Sequence, residues 1–128
     1  LPGSVALIRR AFETGWIVAV ASRALRRRLL RTLDLVQMPP LFDVVLGSED
    51  VVDPGTDRKV HARVAHIFGI DPAACVVIED SVSGVRDAVA CGTGTVIGLT
   101  TSLDGAALRA AGAHEVVDHL DAVNLEVV

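Results

Sequence analysis

The stretch Val76-Val-Ile-Glu-Asp-Ser-Val-Ser-Gly-Val-Arg-Asp-Ala-Val-Ala-Cys-Gly92 carries the strongest structural signal in this sequence of 128 residues. A short apolar run ends in two adjacent carboxylates, Glu79 and Asp80, and a turn of small residues leads into an Ala-containing helical pattern. Short apolar runs bounded by turn residues are typical of buried strands, and a helix directly after such a strand is typical of parallel α/β sheets. The stretch therefore predicts a strand–turn–helix unit with charged side chains at the carboxyl end of the strand.

The same alternation of apolar runs and amphipathic segments continues on both sides of this stretch. Strands are predicted at Trp16–Ala21, Phe42–Gly47, Cys75–Glu79, Thr95–Leu99 and Glu115–Val117. Helices are predicted from Ser4, as the N-cap, to Gly15, around Leu25–Leu33, over Lys59–Phe68, from Gly84 to Ala90, and around Asp104–Ala111. This pattern indicates an α/β fold with a doubly wound, Rossmann-like parallel sheet, in which ligands bind at the carboxyl ends of the strands. Because no linker or repeat interrupts it, residues 1–128 are expected to form a single domain.

Composition excludes several classes of function. The net charge of -4 and the lack of a long basic run argue against a nucleic-acid partner. No apolar stretch approaches the length of a bilayer and no signal peptide is evident, so no membrane partner is expected and the cytoplasm is the expected location. Cys75 and Cys91 form no CxxC or Cys/His cluster, which favours reduced thiols over a zinc site.

The adjacent carboxylates of Glu79 and Asp80 need a compensating partner. At the end of an apolar strand they lose hydration and repel each other unless a cation or hydrogen-bond donors lie nearby. A hard cation such as Mg²⁺ would fit this role. The alternative is that Asp80 and Ser81 only cap the following helix. From these residues alone, both interpretations remain open.

The full stretch resembles the fourth signature motif of the haloacid dehalogenase superfamily, especially its β-phosphoglucomutase-like and phosphoglycolate-phosphatase-like branch. The resemblance covers the whole chain, since Gly69-Ile-Asp-Pro72 and Gly98-Leu-Thr-Thr101 also fit the family. Leu1-Pro-Gly-Ser4 looks like the segment that re-enters the core domain after the cap domain, and the chain has no residues for a cap. The resemblance implies a magnesium-dependent phosphotransferase in which Asp80 and Glu79 bind the metal.

The family's second motif resembles Val18-Ala-Val-Ala-Ser22, a strand that ends in a hydroxyl residue. The resemblance implies that Ser22 holds the transferring phosphoryl group and that Arg23 lies near the same phosphate. The alternative for Ser22 is that its side chain serves as a helix N-cap.

The third motif matches less well. At the position where the family places a lysine, this sequence has Gly55, and the nearest lysine is Lys59, with Arg58 beside it. A cation is needed there because the phosphoryl group and the carboxylates are all negative. Lys59 is expected either to supply that charge and bind phosphate, or to face water from the first turn of a helix.

The first motif is absent from the sequence. In the family, a strand ending in Asp-x-Asp-Gly-Thr supplies the nucleophile and the general acid/base; Asp53-Pro-Gly-Thr56 lacks the second Asp and lies in the third-motif loop. The nucleophilic Asp is therefore expected upstream of Leu1. In the family this strand is central, between those predicted at Trp16–Ala21 and Cys75–Glu79. The core should therefore lack its central first strand unless a preceding segment or a partner chain completes the sheet.

Two functions remain open from the sequence. The first is phosphatase or phosphomutase activity on a small phosphorylated metabolite, as part of a larger enzyme, with this chain inactive by itself. The second is a non-catalytic domain retained for interaction or regulation. Gly55 favours the second, whereas the retained Ser22, Glu79 and Asp80 favour the first. A generic nucleotide-binding module ranks last because no Gly-rich loop joins a strand to a helix.

Overall fold

A computed structural model describes residues 3–21, 44–46, 60–100 and 105–125. The chain divides into two compact units, Leu1–Val60 with Asn124–Val128, and His61–Val123. A single domain over residues 1–128 stays a prediction. No helix within the described ranges is long and apolar enough to cross a membrane.

In the first unit, helix α1 (Ser4–Thr14) precedes strand β1 (Ala19–Ala21), which pairs in parallel with β2 (Val44–Leu46). The Gly3 carbonyl accepts a hydrogen bond from the Leu7 N–H at 2.9 Å, so Gly3 is the N-cap and Ser4 is already helical. The predicted capping role of Ser4 is therefore wrong.

Strand β1 begins later than the sequence predicts. Trp16 was expected to open the strand, but its backbone N–H donates to the Ala11 carbonyl at 3.0 Å and belongs to the turn after α1. The Trp16 indole Nε1–H donates to the Leu125 carbonyl at 3.1 Å. This contact joins the segment before β1 to the end of the described chain and leaves only Ala19–Ala21 in the strand.

The second unit contains a parallel sheet in the order β3-β4-β5. Its strands are β3 (Val76–Glu79), β4 (Thr95–Leu99) and β5 (Glu115–Val117). Its helices are α2 (Val60–Phe68), α3 (Val82–Ala90) and α4 (Gly105–Ala110), and single 3₁₀ turns lie at Pro72–Ala74 and Leu120–Ala122.

The core of this unit is aliphatic and centres on β4. Val96 of β4 packs with side chains from α3, α4 and the turn before β5, which are Val85, Ala88, Leu108 and Ala113. Burying a valine or leucine side chain contributes about 1.5–3 kcal/mol, so this cluster fixes both helices on the sheet. Helix α3 begins at Val82, two residues after Asp80, so this packing also positions the carboxyl end of β3.

The predicted parallel α/β architecture is confirmed. β4 and β5 have the predicted bounds, and α3 begins at Val82 instead of Gly84. Among the described residues, β1 pairs with β2 and β3 pairs with β4, and no ladder joins β1 to β3. The predicted gap between the strands at Trp16–Ala21 and Cys75–Glu79 stays a prediction. The helix predicted around Leu25–Leu33 lies outside the described residues.

Gly94 lies where the backbone before β4 contacts the 3₁₀ turn before β3. Its N–H donates to the Pro72 carbonyl at 3.0 Å. A Cβ atom on Gly94 would collide with the carbonyl oxygen of Ala73. Because that oxygen belongs to the backbone, it cannot rotate away as a flexible side chain could.

Replacing Gly94 by Ala should lower the free energy of unfolding by about 3 kcal/mol, since the backbone must shift to admit the methyl group. Urea unfolding would measure the loss. Gly69→Ala is the matched control because Gly69 has open space around it but a φ of 64°. Its cost should be near 1 kcal/mol, from backbone strain alone. Equal losses in the two variants would contradict the proposed collision.

The cysteine thiols are free and partly buried. Burial raises the pKa of the Cys75 thiol, and the negative charge of Asp71 raises it further. The thiolate of Cys75 is therefore disfavoured relative to that of an exposed cysteine.

The pH dependence of Cys75 alkylation should show this shift. In a Cys91→Ser variant, the alkylation rate is measured as a function of pH. The midpoint of this curve should lie at higher pH for the folded protein than for the same protein unfolded in urea. Asp71→Asn should lower the folded midpoint only partway, because burial is the larger cause. In the native protein the Ala73 N–H donates a hydrogen bond to Asp71 Oδ1 at 3.0 Å. The Asn side chain keeps an oxygen that can accept this bond. A folded midpoint at or below the unfolded one would refute this explanation.

Candidate functional site

Two of the predicted site residues, Glu79 and Asp80, are described by the structure. Ser22, Arg23 and Lys59 lie outside the described residues, so their convergence on a common phosphate pocket stays a prediction.

Glu79 and Asp80 lie at the carboxyl end of β3. Glu79 is the last residue of the strand and is in register with Gly98 of β4. Asp80 follows it directly and is exposed. Since β3, β4 and β5 are parallel, their carboxyl ends share one edge of the sheet, where α/β proteins bind ligands. Both carboxylates are therefore at the edge where a ligand site is expected.

Ser81 begins the helix that follows. Its backbone is extended, with φ of -120° and ψ of 151°, and its Oγ accepts the Gly84 N–H at 3.0 Å. This is the N-cap geometry, so the capping interpretation is confirmed for Ser81.

The carboxylate of Glu79 lies between two helices. The Nε2 of His61, in α2, is 3.3 Å from Glu79 Oε1, and the side chains of His61 and Glu79 are only 12% and 24% exposed. On the other side, a Cβ atom on Gly84 would overlap the Glu79 carboxyl group, including Oε2. Glycine in the first turn of α3 therefore leaves the space that this carboxylate occupies. The positive end of the helix dipole also favours a negative group there.

Sequence reasoning missed His61. It shares one face of α2 with Val64, Ala65 and Phe68, at the spacing of an amphipathic stripe, and Ala65 is 4% exposed. An imidazole on an apolar stripe needs a polar partner, and this was the available signal. The partner, Glu79, lies far along the chain and could not be identified from the local pattern.

The donor set at the end of β3 fits a hard cation in part. Carboxylate oxygens are suitable ligands for Mg²⁺, which usually keeps several waters. No group of three or more His, Cys, Asp and Glu residues suited to a metal occurs in the described ranges. The described residues therefore offer Asp80 and Glu79 only, and the rest of an octahedral shell must come from water, phosphate or other residues.

Comparison with known proteins identifies the class. No model of a protein family matches the chain. A phosphorylated carbohydrates phosphatase of Thermotoga maritima is 31% identical over 109 residues, which are 84% of this chain and 50% of that protein. The bifunctional riboflavin kinase/FMN phosphatase of Arabidopsis thaliana is 32% identical over 127 residues, 98% of this chain and 33% of that protein.

Solved structures show the same relationship. A candidate β-phosphoglucomutase from Thermotoga maritima superposes with a TM-score of 0.82 at 30% identity, covering 91% of this chain and 55% of that one. A haloacid dehalogenase family hydrolase from Deinococcus radiodurans was determined with bound phosphate and sodium. It also superposes with a TM-score of 0.82, at 28% identity, and the match covers 94% of this chain and 56% of that one. The chain thus spans about half the length of these structures.

The parallel sheet with its flanking helices is an α/β core of the kind that these solved structures contain. The chain belongs to the haloacid dehalogenase superfamily, and its relatives include phosphatases of phosphorylated carbohydrates and hexitols.

A double-mutant cycle tests the contact between Glu79 and Gly84. Gly84→Ala alone should lower the free energy of unfolding by about 1 kcal/mol, because the Glu79 carboxyl must turn away from the new methyl group and lose its contact with His61. In a Glu79→Ala background the same change should be neutral, or stabilising by up to about 1 kcal/mol, since Ala is the better helix former. Urea unfolding of all four proteins gives the coupling. If the changes in unfolding free energy of the two single variants add up to that of the double variant, the Glu79 carboxyl does not constrain the residue at position 84.

Proposed function

We propose that this chain is the core of a magnesium-dependent phosphotransferase, a phosphatase or phosphomutase, that acts on a small phosphorylated metabolite. The observation that carries the proposal is the Glu79–Asp80 pair at the carboxyl end of β3, followed by a helix that Ser81 caps. The names of its relatives, which include a phosphorylated carbohydrates phosphatase and a hexitol phosphatase, support this reaction class.

In this proposal, each polar group has a distinct task. Asp80, with Glu79, binds Mg²⁺, which when bound would neutralise charge on the phosphoryl oxygens. The hydroxyl and backbone N–H of Ser22 hold the phosphoryl group, and Arg23 and Lys59 supply positive charge beside it. These groups bind and orient the substrate, but none of them is the nucleophile.

The nucleophile is proposed to lie outside these residues. No Asp-x-Asp-Gly-Thr string occurs in the sequence. A covalent aspartyl-phosphate route needs such an Asp. We therefore propose that a segment preceding Leu1, or a partner chain, supplies both the nucleophile and the central strand, and that this chain alone has no turnover.

A second candidate function rests on Gly55. Because the lysine expected there is missing, the chain could serve as a non-catalytic domain for interaction or regulation. The two candidates differ in whether Asp80 supports turnover once the nucleophile segment is present.

The discriminating experiment measures hydrolysis of p-nitrophenyl phosphate with Mg²⁺. The 128-residue chain and its Asp80→Asn variant should both show background rates only. Adding the protein's preceding segment should produce turnover, and Asp80→Asn should then reduce kcat at least about 100-fold because it weakens stabilisation of the transferring charge.

Asp118→Asn is the matched control. Asp118 is exposed and directly follows β5, as Asp80 follows β3. The Asp118→Asn substitution therefore removes the same charge from the same edge of the sheet. Its kcat should remain unchanged. Asp80-dependent turnover by the isolated chain would contradict the proposed location of the nucleophile. No turnover in the longer protein would favour the non-catalytic function.

A further inference from the structure

His61 makes a contact that the proposed reaction does not yet use. Its side chain is 12% exposed, and its Nε2 lies 3.3 Å from Glu79 Oε1. A carboxylate accepts hydrogen bonds but cannot donate them, so a hydrogen bond between these side chains requires the hydrogen on the imidazole Nε2. One oxygen of Glu79 is thereby oriented by a side chain of α2.

The first turn of α3 also constrains this carboxyl group. Glu79 Oε2 lies over Gly84, in the space that a Cβ atom would need. The carboxylate thus lies between α2 and the first turn of α3. Rotation of the side chain would break the contact with His61.

A second histidine–carboxylate pair, which is exposed, differs from the His61–Glu79 contact. His119 Nδ1 lies 3.2 Å from Asp121 Oδ2, but these side chains are 46% and 73% exposed. Exposed pairs between near neighbours contribute little to structure or stability. The His61–Glu79 contact joins helix α2 to strand β3 and is mostly shielded from water, so it can fix a side-chain orientation.

We propose that His61 is a positioning residue for the cation site. By holding the Glu79 carboxylate against the start of α3, it fixes the end of β3 from which Asp80, the next residue, presents its carboxylate to the metal. This inference rests on the proposed function, because it assumes that Asp80 binds the cation. His61 itself contacts neither metal nor substrate. Imidazole is a poor ligand for Mg²⁺, and the relevant nitrogen already faces Glu79.

The test uses two substitutions of His61 in the protein that contains this chain. His61→Gln retains an N–H donor on a side chain of similar reach, whereas His61→Phe retains the ring but removes the donor. Dissociation constants for Mn²⁺, as a spectroscopic substitute for Mg²⁺, are measured by electron paramagnetic resonance. His61→Phe should weaken binding about tenfold, the size typical of residues that orient metal ligands. His61→Gln should recover most of that loss, and His119→Phe should change nothing.

The wild-type protein offers a readout that does not depend on any variant folding. The ¹⁵N signals of the His61 ring should show hydrogen on Nε2 and should shift during Mg²⁺ titration with the same midpoint as metal binding. Ring signals that do not respond to Mg²⁺ would overturn the inference.

The outcomes separate this inference from the proposed function. If Asp80→Asn abolishes Mn²⁺ binding while His61→Phe binds as wild type, the cation site stands and the positioning role of His61 is refuted. If the His61→Gln variant binds Mn²⁺ as weakly as the His61→Phe variant, the N–H donor is not the relevant property and the inference fails. If the wild-type protein binds no Mn²⁺, the proposed function and the inference both fail.

Discussion

The Glu79 carboxylate has to be accommodated at the end of an apolar strand, and the surrounding structure meets that requirement from three sides. The parallel pairing of β3 with β4 fixes where the strand ends. Gly84 leaves space above the first turn of α3, and His61 provides a polar contact from α2. A buried carboxylate without such partners would be costly. Because Asp80 and the Ser81 cap follow in the next two positions, the placement of Glu79 sets the geometry of the whole proposed site.

Local pattern was enough to predict the sheet around β4. The strands Thr95–Leu99 and Glu115–Val117 were predicted with their observed bounds, because short aliphatic runs between turn residues have few alternative structures. The start of β1 was not predictable in this way. Trp16 is apolar and adjoins the run, but its indole bonds to the Leu125 carbonyl, 109 residues away along the chain. Contacts of that range leave no local signature.

In the candidate site, too, residues within one local motif were predicted and residues joined by long-range contacts were not. Glu79, Asp80 and Ser81 were identified from one contiguous motif, and the structure adds that Ser81 caps the helix. His61 was missed because its partner lies on a different element and no motif contains both residues. Gly84 could be recognised as part of a motif, but the reason for a glycine there, the carboxyl group above it, requires coordinates. Sequence therefore identifies the groups that carry charge more readily than the groups that orient them.

The proposed function requires that the carboxyl end of β3 bind a divalent cation together with phosphate. Its most direct test is a crystal structure of the protein with Mn²⁺ and inorganic phosphate, in which anomalous scattering locates the ion. We expect an anomalous peak at about 2.1 Å from a carboxylate oxygen of Asp80, with phosphate bound to the same ion. We also expect Glu79 to keep its contact with His61. A well-ordered Asp80 without an ion, or Mn²⁺ bound elsewhere with phosphate, would contradict the proposed function.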